Sequence, residues 1–308
     1  MYSRLLPALT LALAAAVPAA CQTAPAPGAQ PAGILRTQFD QALRGIADHV
    51  NGIASYAVVD LTSGDRFTRL PDLVLPTAST IKLTLVYELF RQADEGRLSL
   101  DTMLALDRRV AVAGSGVLYN LGAVTLSLRD YAKLMVLLSD NTATNVLIRT
   151  LGMDAVNGRM RGLGLTNTTL RRLMLDLDAA RRGQENVSTA AELARLLEIL
   201  YQGQGLSKPG RDGAIGMLKE PNEAKVTPLT RGVPPEVEVA SKPGELEGVR
   251  VDAGIVFAKN RPYIFSMMTS YLQDDDRGAA AIEEASRLAY QYFARLGAGT
   301  AYGRLIGR

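Results

Sequence analysis

The chain has 308 residues, 47% of them apolar and 21% charged, enough to bury one large domain or two closely packed subdomains and too apolar for intrinsic disorder. Its formal charge of +3 comes from scattered Lys and Arg, and Trp is absent, a pattern of solvated surface with no nucleic-acid groove. One histidine, His49, and one cysteine, Cys21, exclude a zinc hydrolase built on several imidazole or thiolate ligands. Any Ser-His-Asp triad would depend on His49, in a segment that reads as the first amphipathic helix, so a serine activated here needs another base.

The first 21 residues read as an export signal. Arg4 supplies a short basic region, Leu5 to Val17 an apolar stretch too short to span a membrane, and Ala19-Ala20 a small-residue cleavage site. Cys21 falls where a lipoprotein signal places its lipidated cysteine, so a lipid anchor and simple cleavage both stay open. Either way the mature protein is expected outside the cytoplasm, in the periplasm or at the cell surface. Residues 22–33 are rich in Pro, Ala and Gly and read as a tether.

Folding is expected to start near Ile34, with an amphipathic helix to about Val50, then a strand from Ile53 to Leu61 closed by the turn Ser63-Gly64-Asp65. The middle, about 80–201, reads as helical. Ile81, Leu83, Leu85, Val86, Leu89 and Phe90 cover most of one helix's circumference, which predicts a buried central helix. Further helices are expected over Ser127–Leu138, Ala143–Leu151, Asp154–Arg161 and Thr189–Tyr201. Leu165 to Asn186 is a long aperiodic loop of the kind that is usually functional. The C-terminal part returns to strands at Val237–Lys242, Val249–Phe257 and Tyr263–Tyr271, with a last helix from about Arg277 to Leu296. Strands at both ends around a helical middle imply an α/β (α+β) fold: one antiparallel sheet with flanking helices and an inserted all-helical subdomain. Subdomain junctions favour sites.

Three short motifs carry the chemistry. Ser79-Thr80-Ile81-Lys82 begins the buried helix, and its spacing puts hydroxyl and amine on one face. A desolvated lysine, or one near another cation, has a lowered pKa and can act as a base. Free amides at a helix start can stabilise an oxyanion. Ser139-Asp140-Asn141 offers a hydroxyl to relay a proton and a side-chain amide to hold a substrate amide. Lys242-Pro243-Gly244, followed by Glu245, lies on a strand whose edge can pair with an extended substrate while the lysine attracts its carboxylate. Taken singly, the first two motifs also fit helix caps and the third an exposed strand.

In this order, with sixty residues between Ser79 and Ser139, the trio resembles the S-x-x-K, S-D-N and K-T-G signature of class A β-lactamases and penicillin-binding proteins. The resemblance runs from about Ile34 to Leu296 and implies the β-lactamase/transpeptidase-like fold, with the site between sheet and helical subdomain. It implies Ser79 as the acylated nucleophile and Lys82 as its base or proton relay. Ser139 would give a proton to the leaving nitrogen, Asn141 would bind substrate, and Lys242 would partner its carboxylate. Gly244 and Glu245 would lie on the substrate-binding strand, with the amides of Ser79 and Glu245 forming the oxyanion hole. Arg250 would be a second carboxylate contact or a structural ion pair. The resemblance implies a monomer without cofactor or metal, acting on a β-lactam or a peptidoglycan stem peptide.

Two departures stand out. Pro243 replaces the usual hydroxyl residue of the third motif. The long loop lacks the deacylating glutamate of a Glu-Pro-Glu-Leu-Asn-like run, the aligned run being Leu173-Met174-Leu175-Asp176-Leu177-Asp178. Asp176 is then the candidate base, or the partner of Arg171 or Arg172. Three functions stay open: a β-lactam hydrolase, a D-Ala-D-Ala carboxypeptidase, and a non-hydrolysing penicillin or muropeptide receptor.

Overall fold

The computed structural model describes residues 29–220, 226–300 and 302–306; the export signal, Cys21 and residues 22–28 of the tether lie outside them. In chain order the elements are α1 (Ala29–Asp48), β1 (Ile53–Asp60), β2 (Arg66–Arg69), β3 (Leu75–Pro76), α2 (Lys82–Asp94), β4 (Met103–Ala105), β5 (Thr125–Ser127), α3 (Leu128–Leu137), α4 (Asn141–Leu151), α5 (Met153–Gly162), α6 (Leu177–Arg181), β6 (Val187–Ser188), α7 (Ala190–Gln202), α8 (Lys208–Lys219), α9 (Pro228–Arg231), β7 (Val239–Leu246), β8 (Val249–Val256), β9 (Tyr263–Ser270) and α10 (Asp275–Ala298). The helix expected from Ile34 begins earlier, inside the stretch read as tether. Pro31 falls in its first turn, where a missing N–H breaks no helical bond.

Five antiparallel strands in the order β2-β1-β9-β8-β7 form one sheet, as the strands at both ends of the sequence require. The period-2 alternation of their side chains divides the interior in two. Tyr56 and Val58 of β1, with Tyr263 and Phe265 of β9, face α1 and α10, where Phe39 stacks on Tyr292 at 4.3 Å and Tyr263 on Phe293 at 4.2 Å. Ala57, Val59, Ile255, Ile264 and Met268 face the helical subdomain. Both faces are covered, so β9 is buried at all eight positions. Burying each large side chain contributes about 1.5–3 kcal/mol.

α2 runs through the middle of the helices and is buried at every position from Lys82 to Phe90, as its all-round apolar pattern predicts. Buried polar groups on it are partnered: Glu88 accepts from Gln92 at 2.8 Å and from Arg159 at 2.9 Å. β7, the sheet edge, continues four residues beyond Lys242, the end expected from sequence. The 3.0 Å bond from Phe257 N to Glu238 O, carried along the β7–β8 register, turns the backbone of even-numbered residues toward β8 and that of Pro243 and Glu245 to the open edge. Pro243 therefore removes no ladder bond, which is why the strand runs through it.

Candidate active site

Ser79 is half-buried in the tight turn Ala78–Ile81 that leads into α2. The turn is anchored from outside: Thr77 N and Oγ1 both reach Asn186 O at 3.0 Å. Ala78, immediately before Ser79, has φ +48°, and Ser139 has φ +53°. A left-handed conformation costs a non-glycine residue roughly 1–2 kcal/mol. Two such residues, one immediately before Ser79 and one in the second motif, mark a region where packing dictates geometry against local preference.

Lys82 opens α2 with its side chain fully buried. Its Nζ lies 2.7 Å from Ser139 O, 3.0 Å from Ser139 Oγ and 3.2 Å from Asn141 Oδ1. The sequence spacing suggested a direct meeting with Ser79, yet among the described residues the amine's hydrogen bonds all go to the second motif. Lys242, also buried, places its Nζ 3.1 Å from the same Ser139 Oγ and 3.0 Å from Pro243 O. Burial, and after it the charge of Lys242, push the Lys82 amine well below the ordinary lysine range, while Asp140 pulls the other way. Ser139 Oγ thus lies within hydrogen-bond distance of both amines, and the shift toward the neutral form lets Lys82 Nζ accept a proton as well as donate.

Asp140, which the sequence offered only as part of a helix cap, fills that cap and also holds this cluster in place. It caps α4 by accepting from Ala143 N at 2.8 Å, and it accepts from Val117 N at 2.7 Å and Leu118 N at 2.9 Å. Asn141 N donates to Ser115 O at 3.0 Å. The loop that carries Ser115, Gly116 and Val117 is thereby clamped to the second motif. At Gly116, φ +101°, a Cβ would come within 2.2 Å of the Asp140 carboxylate. The only sequence signal for this wall was the pair Gly114 and Gly116.

Ser79, Ser115, Gly116, Val117, Ser139, Thr227, Lys242, Pro243, Gly244 and Glu245 line a cleft of about 340 Å³. Gly244 lets β7 approach the turn: a Cβ there would meet Thr77 O at 2.5 Å and Thr80 N at 2.9 Å. A larger cavity, about 540 Å³, lies between the ends of α1 and α10 and holds no serine–lysine pair. Size does not identify the site; converging polar groups do.

Two of the residues expected in the site are turned elsewhere. Arg250 donates to Leu246 O and Val249 O and pairs with Asp275 at 3.2 Å at the start of α10. It lines no part of the cleft, because the β7–β8 turn and the acidic first turn of α10 offer it nearer acceptors. Asp176 caps α6, accepting from Ala179 N at 2.9 Å, and is absent from the cleft lining. Its suggested pairing with Arg171 or Arg172 is not formed either: Arg172 pairs with Glu185. Among the described residues no group of three His, Cys, Asp or Glu could hold a metal.

The chain is similar to proteins of one family. An imipenem-hydrolysing β-lactamase of Enterobacter cloacae is 28% identical over 254 residues, 80% of this chain and 87% of that one. Among solved structures, a variant of PBP-A captured as an acyl-enzyme with penicillin G superposes with a TM-score of 0.75 at 30% identity, covering 85% of this chain and 96% of that one. An ancestral class A β-lactamase superposes with a TM-score of 0.77 at 26% identity, covering 83% of this chain and all of that one. A family model described as the β-lactamase enzyme family matches residues 38–293, and on that match over most of its length the chain belongs to the β-lactamase enzyme family.

Proposed function

We propose that the protein is a serine hydrolase that opens β-lactams through an ester on Ser79. The observation that carries the reading is the hydroxyl of Ser139, held between the buried amine of Lys82, which burial pushes below the ordinary lysine range, and Lys242 at the floor of the cleft that also presents Ser79. Ser79 Oγ attacks the lactam carbonyl and its proton passes to Lys82, a contact that tightens once substrate is seated. The carbonyl oxygen, now negative, is held by the amides of Ser79 and Glu245. As the C–N bond breaks, Ser139 gives its proton to the leaving nitrogen and is reprotonated from Lys82. Asn141 and Lys242 hold the substrate amide and carboxylate. Water then hydrolyses the ester.

Release is the slower half of this cycle. Every carboxylate of the long loop is already committed: Asp176 to its cap, Asp178 to Arg181 and Glu185 to Arg172. That commitment supports a second reading, a D-Ala-D-Ala carboxypeptidase or a penicillin receptor that shares the acylation step. The neighbouring PBP-A variant, in which glutamate replaces leucine, was captured as an acyl-enzyme. The deciding experiment follows a chromogenic cephalosporin with the purified protein while the mass of the enzyme is monitored. Turnover well beyond one equivalent supports hydrolysis; a stable adduct after one equivalent favours the second reading; no adduct at all overturns both. We further infer export, with Cys21 lipid-anchored: labelled palmitate should enter the wild type and not Cys21→Ala.

A further inference from the structure

The cleft contains one carboxylate among its described lining residues, Glu245. It is exposed at the rim, next to the strand edge that the proposed function uses for substrate. Its register partner on β8 is Arg250, the obvious cation to neutralise it. Arg250 is drawn away to Leu246 O, Val249 O and Asp275, so no described side chain pairs with the Glu245 carboxylate. The other charge on the described lining is Lys242, whose amine points inward to Ser139 Oγ and Pro243 O. The described lining therefore presents a cation at the floor of the cleft and an anion at its rim, where a site built for simple carboxylates would present positive charge alone.

Resting on the Ser79 reading, we propose that Glu245 is a specificity-determining residue that selects zwitterionic acyl donors, molecules carrying an ammonium for Glu245 as well as a carboxylate for Lys242. An aminoacyl β-lactam and a peptide ending with a free side-chain amine share this chemistry. A second anion at the rim is repelled by Glu245, and a neutral group there gains nothing. The step it influences is seating, before any bond to Ser79 forms, so discrimination appears in kcat/KM for acylation and weakens with salt.

The test uses three penicillins that differ on one acyl carbon: ampicillin with an ammonium, benzylpenicillin with hydrogen, carbenicillin with a carboxylate. In the wild type at low salt, acylation should rank ampicillin first and carbenicillin last. Glu245→Gln should shrink the ampicillin-to-carbenicillin ratio about tenfold, the scale of one charge contact near a protein surface, and Glu245→Lys should invert the order. A dibasic and a monobasic stem peptide, compared as competitors of the acylation, then distinguish a peptide source from a drug-like one. Ratios that are the same in all three proteins would overturn this inference while leaving Ser79 in place. Absence of any adduct would overturn the Ser79 reading, and this inference with it.

Discussion

The polar cluster at the cleft and the 165–186 loop are built on opposite plans. In the first, Lys82 bonds to Ser139 and Asn141 and Lys242 bonds to the same Ser139 hydroxyl, although these residues come from the start of α2, the α3–α4 junction and β7. In the second, the 165–186 loop is held just as firmly, but by its backbone. Asn157 clamps both backbone groups of Leu170 at 2.8 Å, Asn145 clamps those of Met174, and Asn186 Oδ1 accepts from Arg171 N and Arg172 N. The first region pairs its polar side chains with each other at the cleft; in the second, polar side chains fasten the loop and its carboxylates serve folding. On the proposed function, the two halves of the catalytic cycle should therefore respond differently to mutation.

The largest effect should come from Ser79→Ala, which should abolish the penicillin adduct seen by mass spectrometry while leaving the melting temperature unchanged; an adduct that persists would remove the nucleophile from the comparison altogether. Lys82→Ala should slow acylation about a thousandfold through loss of the base, measured by single-turnover mass kinetics. A loss of only a few fold would mean that another group takes the proton.

Asp140→Ala should be the most damaging of the positioning changes. It leaves the amides of Val117, Leu118 and Ala143 without their acceptor, at a cost of about 3 kcal/mol in stability, to be read from denaturant midpoints. A near-neutral result would show that water replaces the carboxylate and that the clamp on the 115–117 wall is unimportant.

The pH dependence sharpens the polar side further. Lys82 must be neutral to accept the proton, so acylation should be full above its lowered pKa and lost as pH falls through it. Lys242→Ala removes the second cause of that lowering; the Lys82 value should climb and the acid limb move to higher pH. An acid limb that stays in place, or moves to lower pH, would assign it to a different group.

The smallest effect is expected in the loop. Asp176→Asn keeps an acceptor for Ala179 N, so melting should change by less than about 0.5 kcal/mol in equivalent stability, and ester release, timed by loss of the adduct mass, should keep its wild-type rate. Accumulation of the adduct in this variant would break the comparison by making Asp176 the deacylating base after all.

What the sequence determined by itself was whatever local pattern encodes. The apolar circumference from Ile81 to Phe90 announced a buried helix, period-2 runs announced strands, and the order and spacing of Ser79, Ser139 and Lys242 announced one site. Composition misled only where it was read without position: Pro31 resembles a tether but is admissible in a helix's first turn. The tertiary structure alone decided which partners each polar side chain takes, because a hydrogen bond or ion pair depends on distances between segments far apart in the chain. Hence Lys82 bonds to Ser139, 57 residues away, with no bond to its near neighbour Ser79. Arg250 leaves Glu245 for Asp275, Asp176 becomes a cap, and Asp140 gathers three amides, each set by which donors and acceptors the packed chain brings nearest.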